Sequence, residues 1–378
     1  MADTTFLDVA GKNILNTIQA FLKSVLNSDD VQAILVPGRS GSSQSIMPVL
    51  IHNPDLIDDA DPLSFCFPVN AARLASKLSN KPVKGKIALV LRPCEIRALI
   101  ELSKLKQADL DNTVLIGIDC LGAYSSKDWM KMNAADAENL PGDLPDLKNP
   151  NDPHLAAACR ACEHFVPENA DILIGLFGTN TNEKIMIQGM TDSGMALLKN
   201  LSQEMVEETS EEMPAREKAV ADLLATRIEY RDKMFETTRQ GIDSHEKFVR
   251  YFDRCINCYN CRVACPVCYC KECVFNTDVF DHDPYQYLQW SRRKGAIKLP
   301  ADTVFYHMTR LAHMSLSCVG CGQCSNGCPN DIPVMELFRL TAFDVQHAFD
   351  YEAGRDKEEP LPLSVFKEHE FTDIVGIE

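Results

Sequence analysis

Seven cysteines stand within nineteen residues, Cys255 to Cys273, in the stretch CINCYNCRVACPVCYCKEC. Four of them, Cys255, Cys258, Cys261 and Cys265, follow the spacing CxxCxxCxxxCP, and Cys318, Cys321, Cys324 and Cys328 repeat it in CVGCGQCSNGCP. Cysteines can form disulfides, hold zinc, act as reactive thiols or hold iron-sulfur clusters, and spacing separates these uses. Three thiolates two residues apart let one loop wrap three corners of a cuboidal 4Fe-4S cluster, while the fourth, beyond the turn, is carried to a neighbouring cluster. On that rule Cys255, Cys258, Cys261 and Cys328 ligate one cluster, and Cys318, Cys321, Cys324 and Cys265 the other. Zinc draws two ligands from each paired CxxC unit, and the third cysteine of each run has no place in that scheme.

A second, less regular set lies earlier. Cys94 ends one predicted strand and Cys120 another, and parallel neighbours would bring both thiols to the carboxyl edge where α/β sheets bind ligands. Cys159 and Cys162 form a CxxC before a further strand, so four thiols from three segments can converge. The plain alternative makes Cys94 and Cys120 small buried residues, and spacing alone does not choose. Three clusters use twelve of the sixteen cysteines. Cys66, Cys268, Cys270 and Cys273 remain, to be read either as a fourth cluster or as packed thiols. His307 and His313, in the helical TVFYHMTRLAHMSL ahead of the second run, are read as surface or packing residues, since four thiolates complete a cluster.

These side chains need a frame. The 378 residues are 45% hydrophobic, enough for two domains with true cores. VQAILVPG, KIALVLRPC, TVLIGIDC, ADILIGLFG and EKIMIQG are short apolar runs bounded by Gly, Pro or Cys and read as buried strands. NAARLASKL, EIRALIELSKL and SGMALLKNLSQEM between them have helical spacing, so residues 31 to about 205 read as an α/β sheet with a parallel part. An Asp/Pro/Asn-rich connection up to His154 is either a cover over a site or a surface insertion. Beyond Pro214 a helix is expected to Gly241, burying Val220, Leu223, Leu224, Ile228 and Phe235. The expected organisation is an α/β domain over 1–205, a helical connector over 206–250, a mainly α-helical two-cluster ferredoxin-like domain over 251–345 and a tail over 346–378.

The start MADTTFLDVAGKN lacks a basic segment followed by an apolar run, and no stretch reaches the roughly 18 apolar residues of a membrane helix. A cytoplasmic protein without membrane insertion is expected, and a reducing cytosol makes disulfides rare. The net charge of -16 argues against a nucleic-acid partner, which would call for a basic face.

The segments LRPCEIRALIELSKLKQADLDNTVLIGIDCLG, CRACEHFVPENADILIGLFG, RCINCYNCRVACPVCYCKEC and RLAHMSLSCVGCGQCSNGCPNDIP, in this order between about Ile34 and Pro333, resemble the beta subunit of archaeal-type formate dehydrogenase. That subunit belongs to the wider family of F420 hydrogenase and dehydrogenase beta subunits. The resemblance implies FAD and a 4Fe-4S cluster in the α/β domain, with Cys94, Cys120, Cys159 and Cys162 as cluster ligands. The family's Gly-Gly segment near the flavin is replaced here by VAGKNILNTIQAFLKSVL, which leaves deazaflavin F420, a nicotinamide and another flavoprotein as candidate acceptors. For the flavin no full fingerprint is present. The loop PGRSGSSQS, Pro37 to Ser45, is either a cofactor loop or a surface turn. Asn70, Arg92, Arg97, Gly175 and Gly178 are the residues expected near the flavin.

The function expected is an electron-transferring oxidoreductase subunit, relaying electrons between clusters and a flavin that converts one-electron into two-electron steps. Its partner would be a molybdenum or tungsten formate dehydrogenase subunit or a nickel-iron hydrogenase, because no motif for formate oxidation occurs in this chain. The alternative is a non-catalytic connector docking a catalytic subunit to a heterodisulfide-reductase-type flavoprotein.

Overall fold

Side chains along a strand point alternately to opposite faces, and in this chain both faces are apolar. The computed structural model describes residues 3–39, 46–81, 84–135, 152, 154–201, 206–207, 212–277, 283–294 and 302–365. One eight-stranded sheet is built from β1 (Asp3–Asp8), β2 (Val31–Arg39), β3 (Ile46–Ile51), β4 (Lys86–Leu91), β5 (Thr113–Ile118), β6 (Ile172–Gly175), β7 (Lys184–Gly189) and β8 (Val206–Glu207), in the order β3-β2-β4-β5-β6-β7-β1-β8. Strands β2, β4, β5 and β6 run parallel. The outer strands pair antiparallel, β3 on β2 and then β7, β1 and β8 in turn beyond β6.

Helices α1 (Ile14–Leu26), α2 (Ala72–Ser79), α3 (Pro93–Lys104), α4 (Ser126–Ala135), α5 (Ala157–Arg160) and α6 (Asp192–Lys199) accompany the strands. After them come α7 (Glu212–Gly241), α8 (His245–Tyr251), α9 (Asn260–Val263), α10 (Pro284–Lys294), α11 (Asp302–Met314), α12 (Gln323–Asn326) and α13 (Val334–Ala348). Ile34, Ala88, Val90, Val114 and Ile116 meet α1 and α6 on one face of the sheet. Leu35, Ile87, Leu89, Leu91 and Leu115 meet α2 and α3 on the other. That second core continues without a break through Phe252, Tyr306, Val334 and Phe338, so the cysteine-bearing helices are seated on α2 and α3. Each large apolar side chain buried this way contributes about 1.5–3 kcal/mol.

The turn from β4 into α3 is held by one carboxylate. Pro93 opens the helix, where its missing N–H costs nothing, and Glu95 accepts from Arg92 N–H at 2.8 Å and from Ala71 N–H at 2.7 Å. The starts of α2 and α3 are thereby tied together beside Cys94. The five strands read from the sequence are present, and β1, β3 and β8 are additional.

Helix α7 departs from its expected stripe. Phe235 is buried, but Val220, Leu223, Leu224 and Ile228 are half-buried while Arg216 and Arg227 are enclosed. The reason is what α7 packs on: Arg216 pairs with Asp119 at the end of β5, and Arg227 lies over the Phe165 ring at 4.5 Å. The segment after α13 also docks. Tyr351 Oη and Gly354 N–H donate to the buried Glu101 of α3 at 2.5 and 2.8 Å, with Lys104 Nζ 3.2 Å away. Among the described residues no helix is long and apolar enough to cross a membrane.

Candidate metal centres

The carboxyl ends of the parallel strands gather the first thiols. Cys94 lies in the first turn of α3 after β4, Cys120 just beyond β5, Cys159 within α5 and Cys162 just after it. Burial pushes Cys94 well above the ordinary thiol value, and Cys321, Glu95, Cys120 and Cys162 push further. Burial also lifts Cys159 to about 12, with Cys120 and Cys162 adding to the rise and Arg227 opposing it. The four thiols therefore share one neighbourhood.

The later runs behave alike. Burial raises Cys255, Asn257 N–H lowers it, and Cys261, Cys258 and Cys328 raise it again. Burial raises Cys324 well above its usual value, Arg310 pulls it back, and Cys265, Cys321 and Cys318 add to the rise. Cys328 thus stands among the thiols of the first run, and Cys265 among those of the second. Cys321 is the first thiol that Cys94 meets from outside its own set, so two sets adjoin. Gly322 permits this approach: its φ is +78°, and a Cβ there would lie 2.5 Å from Ala158 Cβ on α5. Gln323 Nε2 and Asn326 Nδ2 fix the same loop by donating to Phe67 O at 3.0 and 3.1 Å.

Thiols crowded in fours oppose one another's ionisation. Metal coordination removes the conflict, because the thiolate is the ligand form. Among the described residues no three His, Cys, Asp or Glu side chains close on a single metal ion. Four thiols per set, two sets from ferredoxin-type runs, suit the one-thiolate-per-iron demand of a 4Fe-4S cluster.

Cationic and polar groups line these sets. Arg92 Nη1 donates to Gly122 O at 3.2 Å and stands 4.0 Å from Cys120 Sγ, with the guanidinium 4.8 Å above the Phe67 ring. On α11, Arg310 Nη1 donates to Cys261 Sγ at 3.2 Å, Tyr306 Oη is 3.4 Å from the same sulfur, and His307 Nε2 is 3.4 Å from Cys255 Sγ. Burial, with Arg310, pulls His307 down to about 3, so it is neutral. His307 is therefore both a packing residue, stacked on Phe252 at 3.9 Å, and a neighbour of a thiol. Sequence reasoning passed over Tyr306 and Arg310. Their signal was polar residues at positions 303, 306, 307 and 310, the helical stripe that apolar residues usually fill.

The remaining four cysteines stand in different surroundings. Cys66, raised by burial, meets Ile46 N–H, Arg92 and Asp61. Cys268, lifted by burial to about 11, meets Cys265, Arg310, Arg262 and Cys270. Cys270 is exposed and Cys273 half-buried.

Among residues expected near a flavin, Asn70 is buried and accepts from Ala72 N–H at 3.0 Å, and its Nδ2 has no partner among the described residues. Arg92 borders two cavities of about 20 Å³ at the sheet edge, one of them also lined by Cys94, Cys120, Cys159 and Cys162. Arg97 lines a cleft of about 250 Å³ with Arg339, Arg355, Glu163, Glu352 and Cys318. Gly175 and Gly178 face Arg216 instead, and a Cβ on Gly178 would lie 2.4 Å from its backbone. Ligand pockets usually measure hundreds of Å³, and these two sheet-edge cavities are smaller than that. Of the loop from Pro37 to Ser45, residues 40–45 lie outside the described residues, and Arg39 pairs with Asp61 at 3.3 Å. The Asp/Pro/Asn-rich connection lies outside them too, except Asp152 and His154.

Fold and thiols together define a class: a mixed α/β sheet whose carboxyl edge meets a helical module bearing ferredoxin-type cysteine runs. Particular relatives follow from comparison. The chain is 29% identical over 374 residues to the F420-dependent formate dehydrogenase subunit beta of Methanocaldococcus jannaschii, covering 91% of this chain and 92% of the relative. It is 28% identical over 378 residues to the F420-dependent formate dehydrogenase 1 subunit beta of Methanococcus maripaludis, covering 92% of each. The resemblance drawn from the cysteine motifs is borne out by these relatives, which are subunits of an oxidoreductase complex. A solved chain of the F420-reducing [NiFe] hydrogenase complex from Methanosarcina barkeri has a similar fold, with a TM-score of 0.50 at 14% identity, covering 64% of this chain and 94% of that one. No family model matches the chain.

Proposed function

We propose that the chain is the electron-transferring beta subunit of a formate dehydrogenase-like complex, with a molybdenum or tungsten catalytic subunit as its partner. The observation that carries this reading is the grouping of twelve thiols into three sets of four, with Cys94 of one set beside Cys321 of the next. Clusters, when bound, would supply one-electron steps. The chain's own part is to hold the thiolates and to keep the sets adjoining through Gly322 and Ala158.

The acceptor proposed first is deazaflavin F420, the coenzyme named for both relatives. A nicotinamide and a partner flavoprotein are the competing acceptors, and FAD is the converter such a relay calls for. The test is direct. Anaerobically purified protein is assayed for iron, zinc and flavin, then mixed with catalytic subunit, formate and each acceptor in turn. Three 4Fe-4S clusters per chain and formate-dependent acceptor reduction are expected. Zinc in place of iron would sink the reading, and clusters without flavin or acceptor reduction would leave a connector.

A further inference from the structure

Helix α11 buries the wrong side chains for an ordinary amphipathic helix. Tyr306, His307 and Arg310 are 1%, 1% and 4% exposed, whereas Phe305 and Met308 are 54% and 55% exposed. All three buried polar ends turn to two sulfurs. Tyr306 Oη and Arg310 Nη1 lie 3.4 and 3.2 Å from Cys261 Sγ, and His307 Nε2 lies 3.4 Å from Cys255 Sγ. Each is held in place: Arg310 Nη2 donates to Cys261 O at 3.1 Å, its guanidinium lies 4.6 Å from the Phe338 ring centre, and His307 stacks on Phe252. Burying a guanidinium is costly unless an anion is near. Among the described residues Arg310 pairs with no carboxylate, and the anionic forms that reach it belong to Cys261, Tyr306, Cys265 and Cys324.

The second run also has buried cations in reach, Arg339 and Arg97 at Cys318, and at the third set Arg92 Nη1 stands 4.0 Å from Cys120 Sγ, but the second run draws its sulfur hydrogen bonds from the backbone. Cys318, Cys321 and Cys265 meet the backbone N–H groups of Gly320, Gln323, Val267 and Cys268. Cys255 has a comparable backbone donor in Asn257, so the side chains of α11 come in addition.

We infer that Tyr306, His307 and Arg310 are positioning residues that make the centre of Cys255, Cys258, Cys261 and Cys328 the most readily reduced of the three. This rests on the cluster reading above. Reduction adds one electron's charge to a cluster and its thiolates, with no bond made or broken. Fixed donors and a buried cation stabilise that added charge more than the oxidised form, and hydrogen bonds to the sulfurs are among the factors that set such potentials.

The experiment is a redox titration of the anaerobic full-length protein followed by electron paramagnetic resonance. Cys258→Ser identifies the signal of this centre. In the parent protein that signal is expected to appear at the highest potential. In Tyr306→Phe and Arg310→Met its reduction equilibrium should fall about tenfold, or about 59 mV for one electron. Because Arg310 also reaches Cys265, the neighbouring centre should shift the same way by less in Arg310→Met and not at all in Tyr306→Phe. If Arg310→Met loses iron, Tyr306→Phe, which removes one hydroxyl and keeps the ring, decides. Intact iron with an unmoved potential in Tyr306→Phe, or a parent protein in which another centre reduces first, overturns the inference while the cluster reading stands. A parent protein without 4Fe-4S signals overturns both.

Discussion

Asp119 stands one residue before Cys120 and is fully enclosed. Arg216 donates to its two oxygens at 2.5 and 2.9 Å, and Leu176 and Phe177 N–H donate at 2.8 and 3.1 Å. Removing one partner of a buried ion pair typically costs about 3–5 kcal/mol, because the other charge is left alone in a low dielectric. Arg216→Met should therefore destabilise the protein by about 3 kcal/mol, seen as a lowered thermal midpoint in anaerobic circular dichroism. An unmoved midpoint would mean that the four-donor cradle is not what fixes this strand end. Cys265→Ser tests a different residue-level claim. Because Cys265 meets Cys318, Cys321 and Cys324, its loss should alter the centre of those three and spare that of Cys255, Cys258 and Cys261. Spectra showing only the latter changed would reject the crossing of ligands between runs. The two CxxCxxCxxxCP runs are legible in the sequence because spacing within a run is local. Arg216 and Arg310 could not, since their partners lie 97 and 49 residues away.

Elements show the same division between local and distant information. Strands β2, β4, β5, β6 and β7 announce themselves as short apolar runs, and every residue of β5 and β6 is buried. Strand β3 carries Pro48, which cannot donate to a ladder and is tolerated because β3 is at the sheet's edge. Strand β1, DTTFLD, buries chiefly Phe6 and Leu7 and has too little apolar alternation to stand out. How the loop ahead of α12 meets α5 was likewise invisible, though Gly322 marks it. Alanine there would have to adopt φ +78°, a left-handed conformation costing about 1–2 kcal/mol, and would press on Ala158 Cβ. Gly322→Ala should lower the thermal midpoint. It should also weaken the magnetic interaction between the centres of Cys94 and Cys321, measured by electron paramagnetic resonance on the reduced protein. Unchanged coupling together with an unchanged midpoint would remove this loop from the contact between the sets.

Across the whole molecule, charge is sorted by depth. The chain carries a net charge of -16, yet Arg97, Arg227, Arg310 and Arg339 are buried, each within electrostatic reach of at least one thiol. Sets of four thiolates concentrate negative charge inside, and buried guanidiniums offset it where water cannot. Arg310 touches Cys261 and lies within electrostatic reach of Cys265 and Cys324, and Cys321 within reach of Cys94, so the three sets adjoin in turn. On the proposed function, electrons entering at either ferredoxin-type run would reach a two-electron acceptor at the sheet through the set of Cys94, Cys120, Cys159 and Cys162. Cys94→Ala cuts that route at a thiol that shares a cavity lining with Cys321 of the neighbouring set. In the reconstituted complex it should abolish formate-dependent reduction of the acceptor, while the centres of Cys255 and Cys318 still become reduced by the partner. Iron analysis would confirm that only one cluster is missing. Full acceptor turnover in a Cys94→Ala protein lacking that cluster would show that electrons leave the chain elsewhere, with the Arg97 cleft beside Cys318 as the next exit to probe.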